Sequence, residues 1–347
     1  MKQLFSKMLD ALGCGENVVL CRIVSSSGAV PRGAGACMAV FADGSTLGTV
    51  GGGAVERLSA EQAMQVHAKK ESACRGFCLA SDQVADIGMI CGGDVTMYFQ
   101  FFAADDETGK AFLRAALELL ACGKNAWRIT RLEGGLVTGE GLYDEEHGLR
   151  FLSGVPEEIL RPLLIGKAIY RGGEPAYAAE PICRAGVVYL FGGGHVGRAL
   201  VPLLAETGFR VCVFDDRESY AKPENYPRAE RVVFGDYLHI GEKISLTADD
   251  YAVIMTPGHQ ADREVLLQVL QTDASYVGCI GSRNKAAKTN VYLLEHGVSE
   301  KSLARIHCPI GIEIYGETPA EIAVSVTAEL IRHRAIASGA GKQTDRM

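Results

Sequence analysis

The most constraining feature of this chain is a glycine-rich turn joined to an apolar run. Val187–Phe191 is continuously apolar, as a buried parallel strand requires. It leads directly into Gly192-Gly193-Gly194-His195-Val196-Gly197, and Val196–Thr207 continues with helical periodicity. A lone G-x-G-x-x-G is a weak signal. Here it follows a strand, opens a helix, and has the acidic pair Asp215-Asp216 starting 23 residues beyond its first glycine. Gly192 permits the tight turn, Gly194 lets a pyrophosphate approach the backbone, and Gly197 lets the helix lie close to the sheet. The helix start offers phosphates free N–H groups and a partial positive charge, and His195 is placed to contact a ligand or to pack. Asp215 or Asp216 would accept hydrogen bonds from ribose hydroxyls. Arg217 would instead favour a 2′-phosphate, so NAD and NADP both stay open. A Rossmann-like fold that has lost its nucleotide is the alternative.

The rhythm of strand, glycine turn and helix continues through Arg210–Phe214, Arg231–Phe234, Tyr251–Met255, a helix over Arg263–Gln271, and Tyr276–Ile280. Such alternation predicts a doubly wound parallel sheet. The N-terminal half reads differently. It offers a helix over 1–12, strands at Val18–Ser25, Cys37–Phe41, Thr46–Val50 and Asp94–Phe102, and helices over Val55–Lys69 and Glu107–Ala121. Trp127–Leu132 and Leu142–Leu152 read as further strands, and Pro181 with Arg184-Ala185-Gly186 as a hinge. The fold class is therefore α/β, with an N-terminal α+β domain over 1–182, a Rossmann-like domain over 183–338, and a tail from 339 to 347 expected to be disordered.

Composition excludes several classes. The formal net charge is −7 and no long Lys/Arg run occurs, which argues against nucleic-acid binding. Neither a signal peptide nor an apolar stretch of about 18 residues is visible, so a cytoplasmic chain without a membrane span is expected. The eleven cysteines are scattered, with no C-x-x-C pair and no zinc-site spacing. They read as reduced, mostly buried thiols, and no metal site is expected.

Other short segments carry chemistry. Thr256-Pro257-Gly258-His259 ends a predicted parallel strand, where doubly wound folds place ligands; His259 and Asp262 read as an acid/base pair or as hydrogen-bonding partners, and a structural or exposed histidine is the plainer reading. Gly281-Ser282-Arg283-Asn284-Lys285 follows another strand; Ser282 opens a turn, and Arg283 and Lys285 can face phosphates or a carboxylate. Gly51-Gly52-Gly53 precedes a helix with Glu56 in its first turn and reads equally as an anion nest or as a turn needing positive φ. Pro31-Arg32-Gly33-Ala34-Gly35 is a rigid loop whose Arg32 can clamp an anion. Cys91-Gly92-Gly93 places a thiol where backbone N–H groups can lower its pKa, which suits a nucleophile, a sulfur carrier or a soft metal ligand; a buried turn cysteine is the plainer reading.

Together these stretches resemble the XdhC/CoxI family of accessory proteins for molybdenum hydroxylases. The resemblance rests on Ser27–Gly35, Gly48–Glu56 and Cys91–Gly93 in the first half. In the second half it rests on Phe191–Gly197, Met255–Val265, Ile280–Arg283, Pro309–Gly311 and Thr318–Ala323. It implies a maturation factor that binds molybdenum cofactor (molybdopterin) as cargo and supports its sulfuration and insertion into a xanthine dehydrogenase-type apo-hydroxylase. A sulfur donor such as a cysteine desulfurase would be a partner, and a homodimer is expected. A pterin phosphate would suit Gly51–Gly53, and a thiolate at Cys91 would suit molybdenum or a passing sulfur. Many relatives carry cysteine after the triple glycine, whereas this chain has Ala54, and selenium chemistry stays open. The chain lacks iron–sulfur cysteine clusters and is short for a full hydroxylase. An NAD(P)-dependent oxidoreductase using His259 is the competing reading, and a nucleotide-sensing interaction protein is a third.

Overall fold

The computed structural model describes residues 1–78 and 93–338, so the tail expected over 339–347 lies outside the described residues. Two compact units divide the chain, Met1–Arg184 and Ala185–Met347.

In the first unit, α1 (Lys2–Gly13), β1 (Val18–Ser27), β2 (Cys37–Phe41), β3 (Thr46–Gly48), α2 (Gly53–Lys69), β4 (Ala73–Cys78), β5 (Asp94–Phe102) and α3 (Glu107–Cys122) come first. They are followed by β6 (Ala126–Glu133), β7 (Leu136–Asp144), β8 (Gly148–Arg150), α4 (Glu157–Leu160), β9 (Ile169–Arg171) and β10 (Ala176–Cys183). The strands form two antiparallel sheets ordered β3-β2-β1-β5-β4 and β8-β7-β6-β10-β9. β1 is buried on both faces, so it reads as an apolar run rather than an alternation. Val19, Cys21 and Ile23 pack with Val55, Ala63 and Val66 of α2. Val18 and Leu20 face the opposite core with α1 and α3, and Arg22 shares that parity.

Two expectations need correction here. Leu142–Leu152 is not one strand. β7 begins at Leu136 and pairs with both β6 and β8. The Asp144 carboxylate closes the β7–β8 turn by accepting from the Glu146 and His147 N–H groups, each at 3.0 Å. Nor is Pro181 a hinge. It pairs with Trp127 inside β10, while β9 pairs with β10 only at Tyr177–Ala179. Pro181 thus lies within the β6 pairing and past the short segment that β9 covers, next to a register shift between Pro181 and Cys183.

The second unit contains β11 (Val187–Phe191), α5 (His195–Glu206), β12 (Arg210–Asp215), β13 (Arg231–Phe234), β14 (Tyr251–Ile254), α6 (His259–Val269), β15 (Tyr276–Cys279), α7 (Arg283–Glu295), α8 (Glu300–Leu303), β16 (Ile306–His307) and α9 (Pro319–Ala337). The strand pairings among its described residues are all parallel, in the order β13-β12-β11-β14-β15-β16. This is a Rossmann arrangement whose order reverses between β11 and β14. One face is covered by Leu200, Val201 and Leu204 of α5 with Ala323, Val326 and Leu330 of α9. The other is covered by Val265, Leu266 and Val269 of α6 with Leu293 of α7. α9 starts with a capping box between Thr318 and Glu321. α6 begins at His259, four residues before the helix expected from periodicity, because Gly258 serves as its N-cap. Among the described residues no helix is long and apolar enough to cross a membrane.

Candidate functional site

The three glycines of the Rossmann turn do different work. Gly192 has φ +113°, and a Cβ there would lie 2.2 Å from the Met255 carbonyl oxygen. A Cβ on Gly197 would lie 2.6 Å from the Gly192 carbonyl oxygen, so only glycine lets α5 approach its own turn. Gly194 meets nothing within 4 Å. Its open side at the start of α5 fits a phosphate approaching the backbone. His195 and His259 are the first residues of α5 and α6, which follow the neighbouring strands β11 and β14. Both imidazoles are exposed, on either side of the point where the strand order reverses.

The ribose end of a nucleotide site is less open. Asp215 is fully buried. Its Oδ1 accepts from the Arg217 backbone N–H at 2.9 Å and from Nε at 2.8 Å. Its Oδ2 accepts from the Gly193 N–H at 2.7 Å and from Arg217 Nη2 at 2.8 Å. A carboxylate has about four lone-pair sites, and here all are used. Burial pushes this carboxyl up, but the hydrogen bonds from Arg217 and Gly193 outweigh it and hold the group below the usual carboxylate range. Tyr226 Oη also donates to the Gly193 carbonyl oxygen. Asp215 thus locks the turn, and the more open carboxylate at this strand end is the exposed Asp216, 3.9 Å from Arg217 Nε and raised by partial burial and by the Asp215 charge.

Asp262 corrects the expected acid/base pair. It is fully buried, and its bonds go elsewhere than His259. Oδ1 accepts from the Thr256 N–H at 3.1 Å and hydroxyl at 2.6 Å, and Oδ2 accepts from Lys285 Nζ at 2.5 Å. Lys285 also donates to the Ile280 carbonyl oxygen at 3.1 Å. Of the two partners open to Lys285, phosphate or carboxylate, the fold supplies the carboxylate. Ser282 caps α7 by accepting from the Lys285 N–H at 3.3 Å. Arg283, exposed, lines a cavity of about 450 Å³ with Ile280, Gly281, Gly311 and Tyr315.

In the first unit the motif stretches come together. A Cβ on Gly51 would touch Pro31 Cβ at 3.1 Å and Arg32 Cγ at 3.6 Å. A Cβ on Gly93 would lie 2.4 Å from the Ser27 carbonyl oxygen and 2.7 Å from that of Ala29. The loop carrying Arg32 therefore lies against both the triple glycine and the end of the Cys-Gly-Gly stretch. Cys91 itself lies outside the described residues. Gly51, Gly52 and Gly53 all have positive φ, as a tight strand–helix turn demands. The nest they form already holds a carboxylate. Glu56 Oε2 accepts from the Gly52 N–H at 3.1 Å, the Val50 N–H at 3.3 Å and the Thr49 hydroxyl. Arg32 is exposed and lines a cavity of about 280 Å³ with the Gly33–Ala36 backbone, Glu180 and Arg184.

Sequence reasoning missed a buried ionic cluster between the two sheets of this unit. Arg22 donates to Glu180 at 3.0 Å, to Thr130 at 3.0 Å and to Glu140. Arg128 lies 3.7 Å from Glu180, and both arginines are 2% exposed. A single arginine in an apolar strand, as Arg22 is, was the available signal.

Comparisons with known proteins agree with this architecture. Residues 188–330 match the family model of the XdhC Rossmann domain, and residues 11–77 match that of the XdhC and CoxI family. The chain is 26% identical over 340 residues to a Bacillus subtilis (strain 168) protein described as a probable xanthine dehydrogenase subunit, covering 95% of this chain and 97% of that one. It is 26% identical over 321 residues to uncharacterized protein YqeB of Escherichia coli (strain K12), covering 92% of this chain but only 44% of that longer protein. A crystal structure from Bacillus halodurans described as a xanthine dehydrogenase shares the fold, with a TM-score of 0.80, 23% identity, and coverage of 99% of this chain and 98% of that one. With residues 188–330 of its Rossmann unit and residues 11–77 of its N-terminal unit each matching, this chain belongs to the XdhC and CoxI family.

Proposed function

We propose that this protein is an accessory maturation factor for a xanthine dehydrogenase-type molybdenum hydroxylase. In this reading it binds molybdenum cofactor as cargo and supports its sulfuration and its insertion into the apo-enzyme. The observation that carries the proposal is the convergence in the first unit of three separated motif stretches, Ser27–Arg32, Gly51–Gly53 and Gly93, on one loop cluster. Family membership and the name of the Bacillus subtilis relative support the accessory role. Arg32 is an exposed cation of this cluster, placed to take a pterin phosphate, and Glu56 is the anion that such a phosphate would displace. Cys91 is the thiol assigned to the metal or its sulfur. A cysteine desulfurase is the class of sulfur donor, and a homodimer is the assembly we assign.

The Rossmann unit fits a nucleotide at its phosphate end, through Gly194, and would need Asp216 rather than Asp215 at its ribose end. Because Asp262 is tied to Thr256 and Lys285, the oxidoreductase alternative would have to use His259 without Asp262 as its partner.

The test is anaerobic binding of molybdenum cofactor to the reduced full chain, compared with Arg32→Ala and Cys91→Ala. Tight binding weakened about tenfold or more by either substitution supports the reading. No cofactor binding, with NAD(P) bound and reduced, would replace it with the oxidoreductase.

A further inference from the structure

We propose that Cys279 and Cys308 form a sulfur-relay pair, in which Cys308 takes a sulfane sulfur atom from a persulfide donor and Cys279 releases it as sulfide. The register of the sheet brings the two thiols together. β15 and β16 run parallel with Val277 opposite Ile306 and Gly278 opposite His307, so the next rung sets Cys279 beside Cys308. The Ile310 N–H closes this end of the ladder on the Cys279 carbonyl oxygen at 3.1 Å. Cys308 packs against the same core cluster that contains Cys279.

The pair is asymmetric. Cys279 is 2% exposed, whereas Cys308 is half-buried, so an external donor reaches Cys308 first. The Cys279 S–H donates to the Ile280 carbonyl oxygen at 3.6 Å. The neighbouring Cys279 thiol lowers the Cys308 pKa against the opposing effect of burial. The Lys285 ammonium lowers it further, and the Asp262 carboxylate that anchors Lys285 opposes this. The Cys279 pKa is raised by its Cys308 neighbour and by burial. A more exposed thiol of lowered pKa beside a buried one is the arrangement of an attacking and a resolving cysteine. The residues that follow each thiol, Ile280 and Pro309, line the cavity of about 450 Å³ that also holds Arg283.

The chemistry balances. The Cys308 thiolate attacks the outer sulfur of a persulfide R–S–SH, forming Cys308–S–SH and releasing the thiolate RS⁻. The Cys279 thiol, losing its proton, then attacks the inner sulfur of that persulfide. The Cys279–Cys308 disulfide forms and hydrogen sulfide leaves. A small-molecule thiol supplies the two electrons and two protons that restore both thiols. Delivery of the sulfide to a metal-bound cargo rests on the maturation reading above, whereas uptake and release need only the two thiols.

The test uses the reduced full chain, inorganic polysulfide as the probe, and no molybdenum, so its failure is separable from failure of the maturation reading. Peptide mass spectrometry follows each thiol while released sulfide is assayed. The wild type is expected to gain the Cys279–Cys308 disulfide with matching release of sulfide. Cys279→Ser should accumulate about tenfold more Cys308 persulfide than the wild type. Cys308→Ser should release none. The wild-type measurement decides the matter even if a variant fails to fold. Sulfur appearing on the exposed Cys14 and Cys122 as readily as on Cys308, with no disulfide at the pair, would overturn the proposal.

Discussion

Arg217 grips both oxygens of the Asp215 carboxylate, Nε on Oδ1 and Nη2 on Oδ2, each at 2.8 Å. The same carboxylate holds the Gly193 N–H, so this pair ties the second strand end of the Rossmann sheet to its glycine turn. Removing the guanidinium would strand a buried charge. Arg217→Ala is expected to cost about 2 kcal/mol, reduced from the cost of a fully buried pair because the arginine is partly exposed. The pH dependence has a definite sign. Asp215 is depressed in the folded state, so its contribution is present above the unfolded carboxylate pKa and lost as pH falls through the folded value. Urea titrations at neutral and acidic pH should show the wild type losing this increment in acid and the variant lacking it throughout.

The glycines of the turn separate by role. Gly192→Ala places a Cβ 2.2 Å from backbone at a positive φ and should prevent folding of the second unit. Gly194→Ala meets open space at φ −71° and should keep stability within about 0.5 kcal/mol. If a nucleotide approaches here, that variant loses its binding while circular dichroism and melting stay unchanged. Full retention of nucleotide binding would remove Gly194 from the site.

Glu56 fills the nest at Gly51–Gly53 from within. Glu56→Ala should cost about 1 kcal/mol by releasing its hydrogen bonds. It should also open the nest to outside anions. Inorganic phosphate is expected to raise the melting temperature of this variant and to leave the wild type unmoved. Equal responses would mean that the nest has no affinity beyond its own carboxylate.

Asp262 and Lys285 are coupled across a buried contact. Asp262→Ala leaves the ammonium and the Thr256 hydroxyl unpaired and is expected to cost about 3 kcal/mol. Denaturant unfolding of Asp262→Ala, Lys285→Met and the double variant provides the measure. The double variant should be less destabilised than the sum of the two single changes.

His333 reports on the opposite end of the sheet. Its pKa is lowered by burial and by His307, so the folded state favours the neutral ring. The sign is the same as for Asp215. Its contribution is whole above the unfolded histidine pKa and declines as pH falls through the folded one. His333→Phe should flatten the stability profile between about pH 7 and 5.

The parallel unit was legible because its signals are local. Apolar runs, glycine turns and helical periodicity in Val187–Gln271 lie within a few residues of one another, and the fold preserved nearly all of them. The N-terminal unit was less so. Its strand pairs join distant segments, and β4, β9 and β10 carry no strong pattern because sheet pairing, rather than propensity, makes them strands. The candidate site residues can be read from the sequence as positions but only partly as partners. Lys285 rather than His259 faces Asp262 because α6 starts four residues early and turns the carboxylate inward.

What the sequence determined by itself is the order of strands, turns and helices in the second unit from Val187 to Cys279, the family, and the places where backbone must be glycine. These follow from sterics and from hydrophobic period, both of which are written in neighbouring residues. What the tertiary structure alone decided is which polar groups remain free. Asp215 and Glu56 look available in the sequence, yet both oxygens of Asp215 and Oε2 of Glu56 are taken, because hydrogen-bond capacity is finite and is consumed by groups that folding brings near. Cys279 and Cys308 look like scattered core thiols until the pairing of Val277 and Gly278 with Ile306 and His307 brings the ends of two short strands together.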